Sequence, residues 1–335
     1  MRTKQKVGLT ASEIAALWSA YISCSMAICL SQYFSKYLED KEARSLLEES
    51  LKRYQAHLKN ITHIFTEEKF PVPRGYNDDD VDLSAPSLFF GLFPLSYVYS
   101  VSRMDLISYS AYTTSAARED VRALFSDWMQ FSLEMFNKAT DLMLSKGIYD
   151  RPAFIPYPEH VSFMNDKPGM LTEWFKPKRP LNVLEISDIF FNLERNNYAV
   201  ILLTGFSQII RDDQIKQYLL RGKKLANKHI EFLNEILIQD DLLGNNMVNT
   251  DVTTSTVSPF SERLILGIIT LTNSAAVSFL GRSLSTATRT DLTVEYSKLL
   301  LEVLKYGKDG MDLLIERGWM EEPPHAPDRK KLAGV

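Results

Sequence analysis

Leu9-Thr10-Ala11-Ser12-Glu13-Ile14 and, 172 residues on, Leu181-Asn182-Val183-Leu184-Glu185-Ile186 are the segments that decide the fold. In each, a capping residue stands three positions before a glutamate: Thr10 before Glu13, and Asn182 before Glu185. The cap side chain can accept the glutamate's amide while the carboxylate returns to the cap amide, so both segments read as helix starts. Outward from them the register continues. Ala27, Leu30, Phe34, Ser35, Leu47, Lys52 and His57 recur as Ala199, Leu202, Phe206, Ser207, Leu219, Lys224 and His229 at the same offset. Farther along the offset becomes 171: Arg118-x-Asp120 recurs as Arg289-x-Asp291, Asp141-Leu142 as Asp312-Leu313, and Gly147 as Gly318. A register held over about 150 residues with a one-residue slip predicts two homologous domains.

Composition agrees with that division. The chain has 335 residues, 45% hydrophobic and 24% charged, which is ordinary for a globular protein of two domains. A formal net charge of −4 gives no general attraction to nucleic acid. Five His and two Cys are too few for a zinc-ribbon protein. Cys24 and Cys29 lie five apart on one expected helix, beyond disulfide reach, and read as buried thiols in a reducing compartment. The stretch from 14 to 35 carries no charge, and Arg2, Lys4 and Lys6 precede it like the start of a signal peptide. Its serines, Glu13 at its edge, and the charges Asp188, Glu194 and Arg195 in its repeat argue against a membrane span.

Each half reads as four helices: an all-α chain of two tandem antiparallel four-helix bundles. The expected spans are 11–38 and 183–210, 41–67 and 213–238, then 87–117 and 261–288, with Pro94 placed to bend the third helix. The fourth helices start near Asp120 and Asp291, where an acid suits the helix dipole, and stop at Gly147 and Gly318. The domains are then 1–150 and 182–335, the latter with a Pro-rich tail. Residues 151–181 form a Pro- and aromatic-rich connection, read as an extended strap on a bundle. The two bundles are expected to pack as a pseudo-symmetric pair through their less charged helices. Because the first helix has no charge to solvate, it is expected to be buried on every side, whereas its repeat leaves a face open. Tyr157, Phe163 and Trp174 of the strap, the other bundle, or a partner subunit could supply the cover.

A helical bundle raises the question of a di-metal carboxylate centre, which requires Glu-x-x-His on two helices and a Glu on each of the others. The one Glu-x-x-His, Glu322 to His325, contains two prolines and cannot be helical. Tyr54 and Ala226 stand where a ligand three before His57 and His229 would be, and Asp105 is replaced by Ala276 in the repeat. His57 and His229 therefore read first as neutral residues hydrogen-bonded within the bundles, with a lone metal ligand or proton-transfer group as the other reading. Glu13 and Glu185 are explained by capping before a ligand role is needed, and Arg118–Asp120 and Arg289–Asp291 by ion pairs at helix junctions. No phosphate-binding glycine loop, zinc-protease motif or activated cysteine appears in the sequence.

The openings around Glu13 and Asn182, the Gly205-Phe206-Ser207-Gln208 segment, Arg221-Gly222-Lys223-Lys224 with His229, and the closing Gly318-Trp319-Met320-Glu321-Glu322-Pro323-Pro324 carry a resemblance. The chain resembles a family of uncharacterised proteins from spore-forming bacilli, built from two ferritin-like bundles and often labelled spore-coat-like. The resemblance covers essentially the whole chain and implies fold and lineage, without established activity or site residues. The expectation is a structural or interaction protein of sporulation, cytoplasmic or in the spore coat. Its partners would be other proteins or copies of itself, with no nucleic acid, membrane span or cofactor. The alternative is a divergent ferritin-like oxidoreductase using iron or manganese, with His57, His229, Glu13 and Glu185 as the residues to test.

Overall fold

The computed structural model describes residues 7–163, 178–244 and 252–334. Among them the chain is all-helical, with no β-strand. The first half comprises α1 (Ala11–Tyr37), α2 (Lys41–Glu67), α3 (Phe93–Ser115) and α4 (Glu119–Ser145); the second comprises α5 (Val183–Ile209), α6 (Asp213–Gln239), α7 (Glu262–Thr286) and α8 (Thr290–Glu316). The pairs α1/α5 and α2/α6 are offset by 172 at both ends, and α4/α8 by 171 at both ends. The slip therefore lies between α6 and α7. Each half is two helical hairpins packed together, the bundle that the duplication predicts.

The helix ends are set by local chemistry. At α1, the Glu13 amide donates to Thr10 Oγ1 (3.4 Å) and Thr10 N donates to Glu13 Oε2 (2.7 Å); Asn182 and Glu185 do the same at α5. Gly147 and Gly318 adopt φ of 69° and 66°, beyond the reach of most side chains, and close α4 and α8. There Ile148 N donates to Met143 O and Trp319 N to Leu314 O, which satisfies carbonyls the helix leaves unpaired. The last-turn cations do more than face a dipole. Lys146 pairs with Asp40, the N-cap of α2 (2.6 Å), and Arg317 with Asp212, the N-cap of α6 (2.7 Å).

Glu13 and Glu185 also reach across their bundles. Glu13 Oε1 accepts from Ala117 N (2.9 Å) and Arg118 N (2.6 Å), the first amides of α4's approach. Glu185 Oε1 accepts from Thr288 N (3.1 Å) and Arg289 N (3.0 Å). One buried carboxylate thus caps its own helix and ties it to the turn that leads into the bundle's fourth helix. Burial opposes its charge, but the hydrogen bonds from Thr10 and the two amides outweigh that and hold Glu13 below its ordinary 4.5.

One expected boundary is wrong. Helix α3 begins at Phe93, not 87, and Pro94 sits in its first turn, where its missing N–H costs nothing. Residues 87–92 are instead drawn into contact with the other half. Val81 pairs with Phe260 and Phe89 with Val252 in two antiparallel bridges. Asp82 N donates to Pro259 O (2.7 Å) and Thr253 N to Leu88 O (2.9 Å). Every partner in the second bridge is the first shifted by 171 with the roles exchanged, which is what a pseudo-twofold axis requires. Asp80 of the acidic run reinforces the crossing, held by Arg263 (2.5 Å) and Ser261 (2.6 Å) at the start of α7.

The largest core crosses between the halves. Phe34 and Phe206 alternate with Phe89 and Phe260 in a ring with centroid spacings of 6.1 to 6.5 Å. Gly205 makes room for it: a Cβ there would lie 2.9 Å from the Phe89 ring. Helices α1, α3, α5 and α7, the less charged ones, meet around this ring. Helices α1 and α7 are long and apolar enough to cross a membrane, and much of each apolar stretch is packed inside the protein.

Of the uncharged stretch from 14 to 35, Ala15 and Ser19 are exposed, and no residue from 20 to 35 is. The cover is the α2–α3 connection and the second half. Tyr33 Oη donates to Pro86 O (2.5 Å), and Tyr76 N donates to Ser25 Oγ (3.0 Å). Two further parts of the expectation fail. Tyr157 and Phe163 are exposed and cover nothing on α1, and Trp174 lies outside the described residues. Nor does the repeat leave a face open: no residue of α5 from 188 to 209 is exposed, because its charges find partners inside. Of the strap, Ala153 and Ile155 rest on the second bundle's core.

Two measurements check this packing. Ala20 is fully buried, so Ala20→Glu should lower unfolding free energy by about 3 kcal/mol or more, whereas Ser278→Glu, on an exposed second-half position, should change it by less than about 0.5 kcal/mol. Glu13→Gln should cost about 1–3 kcal/mol at neutral pH, since an amide cannot accept from all its present donors. A depressed carboxyl stabilises above its unfolded value and loses that contribution in acid. The difference between native and variant in urea unfolding should therefore shrink as pH falls below 4.5.

Candidate functional site

The expected site residues stand apart from one another. Glu13 and Glu185 are structural caps. His57, in the middle of α2, is buried and stacked on Trp128 at 3.8 Å, with Tyr109 and Phe131 edge-on. Neither ring nitrogen has a hydrogen-bond partner, contrary to the expectation of a hydrogen-bonded histidine. Burial, aided by the Arg53 charge, drives it down to about 2, so it is neutral throughout the physiological range. His229 differs: its Nε2 lies 3.2 Å from Glu302 Oε2. Phe131 occupies the place of Glu302 in the first half, which accounts for the contrast. Among the described residues, no three His, Cys, Asp or Glu side chains converge as metal ligands would. Cys24 and Cys29 are free and buried, and burial pushes both thiols up, away from nucleophilic thiolate.

The chemistry gathers instead between the bundles. Beyond the phenylalanine ring a half-open cavity of about 540 Å³, within the size range of small-molecule sites, is lined mainly from α1, α3, α5 and α7 and reaches Ala226 and His229 of α6 and Tyr306 of α8. Its lining is largely apolar, from Met26, Leu30, Leu202 and Ile268 among others, and small residues such as Ala27, Ala199 and Ala276 leave the space unfilled. At the rim Ile107 and Leu271 are each 46% exposed.

Four charged residues line it. Arg103 of α3 pairs with Glu194 of α5 at 2.6 Å, its guanidinium held between the rings of Tyr99 (4.4 Å) and Phe191 (4.8 Å). Asp105 is buried and accepts from Tyr54 Oη at 2.7 Å. Burial pushes its carboxyl up to about 7, and the Tyr54 hydrogen bond only partly offsets this. Arg195 stacks on Phe279 (4.4 Å), and its N–H groups reach only Met104 Sδ and Thr272 O, both at 3.4 Å. Burial, with Arg103 nearby, brings it down to about 10, where it is still cationic at neutral pH. A titratable acid and a cation without a carboxylate partner, both facing one cavity, form the candidate site.

Sequence reasoning weighed Asp105 only as a metal ligand and saw Glu194 and Arg195 only as marks of solubility. Arg103 and Glu194 are 91 positions apart, so no local spacing links them. The usable signal was the presence of charge on otherwise apolar central helices.

The chain belongs to the family described as "Protein of unknown function (DUF3231)", matched twice, over residues 1–161 and 169–332. No curated protein matches it. Among solved structures it is similar to a candidate spore coat protein from Bacillus halodurans C-125, at 19% identity and a TM-score of 0.39, covering 47% of this chain and 99% of that one.

Asp105 gives the site a pH signature. A carboxyl raised in the folded state costs stability once deprotonated. The penalty is absent below the unfolded value of 3.8, grows as pH rises, and is complete above about 7. Asp105→Asn should therefore gain on the native protein between about pH 5 and pH 8 by up to roughly 4 kcal/mol in urea unfolding, with little gain at the acid end.

Proposed function

We propose that this is a structural or protein-interaction protein of sporulation, working in the cytoplasm or the spore coat, without catalysis or a bound cofactor. Family membership leaves activity open, so the reading rests on one surface. After α4, Phe154, Tyr157, Val161 and Phe163 are between 80% and 90% exposed, while Ala153 and Ile155 of the same segment anchor it to the second bundle. Large apolar side chains held out from an anchored strand suit a protein partner or a second copy of the chain. The net charge of −4 does not favour nucleic acid. An iron or manganese oxidoreductase would need converging carboxylates and histidines, and the bundle residues around His57 are aromatic rings.

The test is to change Phe154, Tyr157 and Phe163 together to serine in the full chain. Light scattering and cross-linking should show loss of self-association or of coat assembly, with the melting temperature within about 2 °C of native. Assembly unchanged in the triple variant would defeat the reading. So would stoichiometric iron or manganese in untagged protein that disappears in His57→Ala or His229→Ala.

A further inference from the structure

We propose that the cavity between the bundles binds a single-chain anionic amphiphile of the fatty-carboxylate class, with its head on Arg195 and its chain toward the phenylalanine ring. This inference is independent of the exposed strap and of any role in assembly.

Three observations carry it. The first is charge. Arg103 and Glu194 neutralise each other, and the Asp105 carboxyl already accepts from Tyr54. Arg195 is left as a cation lining the cavity with no carboxylate at ion-pair distance among the described residues, and Glu194 acts on it only at longer range. Its present acceptors, a thioether and a backbone carbonyl at 3.4 Å, are weak and long. The planar guanidinium fork is matched best by a carboxylate taking two parallel hydrogen bonds.

The second is shape and polarity. The walls leading away from Arg195 come from Met26, Leu30, Phe34, Leu202 and Ile268, which offer an alkyl chain contact and a polar ligand nothing. The cavity's volume of about 540 Å³ has room for one alkyl chain.

The third is access. Ile107 and Leu271 at the rim are half in solvent, and Ser19, Ser274 and Ser278 beside them are exposed and small. An apolar rim around a cavity with a cation inside is the entrance an amphiphile requires.

The test is equilibrium dialysis of the full chain against dodecanoate, kept below its micelle concentration, with dodecylamine as the charge-reversed probe. The native protein should take up dodecanoate saturably, close to one per chain, and dodecylamine poorly. Arg195→Leu should weaken dodecanoate at least about tenfold, the expected loss of a charge-assisted pair. Ala199→Leu, which fills the cavity without touching charge, should weaken it as well. If Arg195→Leu does not fold, Arg195→Lys keeps the charge but removes the fork and should still bind more weakly than native. Circular-dichroism melting confirms that each variant compared is folded. No saturable uptake by the native chain overturns the proposal, as does uptake that folded Arg195 and Ala199 variants leave unchanged. Equal uptake of dodecylamine overturns it too, since the anchor would then be Asp105 and the ligand a cation.

Discussion

Four phenylalanine rings meet where the halves cross, and the rest of the molecule is arranged around them. Phe34 and Phe206 are repeats of one another, as are Phe89 and Phe260, and each ring touches one neighbour from its own half and one from the other. A phenylalanine buries on the order of 150–250 Å² in a core. A half standing alone would expose two such rings together with the apolar flank of its first helix. The two bundles thus share one hydrophobic core despite their origin as repeats. The crossing connections exist because each Phe must reach the far side of the axis, and the bridges at 81–260 and 89–252 are the backbone's way of satisfying its polar groups during that passage.

Beside the ring, the repeats differ in where they place charge. Glu194 and Arg195 correspond to Ile22 and Ser23, and Arg103 and Asp105 to Ser274 and Ala276. A charge repeated on both sides of a twofold axis would meet its own kind. Placing the cation on one repeat and its acid on the other avoids that and produces the Arg103–Glu194 pair, stacked between aromatic rings. Such a half-buried pair adds little net stability, but it ties one half to the other. Regions away from the seam have kept matching solutions, as the paired capping boxes and the Lys146–Asp40 and Arg317–Asp212 bridges illustrate.

The helices were legible in the sequence because their signals are local. Thr10 and Asn182 start helices where capping geometry says they must, and Gly147 and Gly318 end them. The start of α3 was not legible, because residues 87–92 have an apolar pattern compatible with helix and are claimed by residues more than 160 positions away. The absence of charge between 14 and 35 indicated burial correctly from 20 onward, while Ala15 and Ser19 are exposed. The converse inference failed: Asp188, Glu194 and Arg195 looked like a solvated face, yet Asp188 accepts from Thr286 Oγ1 at 2.5 Å, Glu194 meets Arg103, and Arg195 lies on Phe279. Charge in a sequence reports a need for a partner, and water is only one of the partners available.

Where the open space lies follows from the same reasoning. A bundle that holds a metal centre leaves room on its own axis for carboxylates and histidines. Here the first bundle's axis is closed by His57, Trp128, Tyr109 and Phe125, stacked and edge-on at 3.8 to 6.3 Å. His57 is held there as an aromatic plate whose nitrogens make no hydrogen bond, which only close packing on every side can sustain. The second bundle puts Glu302 against His229, and there the interior stays open to the seam cavity. Room remains at the seam, where two convex bundles cannot match each other perfectly once the phenylalanine ring has fixed their approach. A seam formed after duplication is also free of the fold's own requirements. The residues lining it answer to one another and to whatever enters.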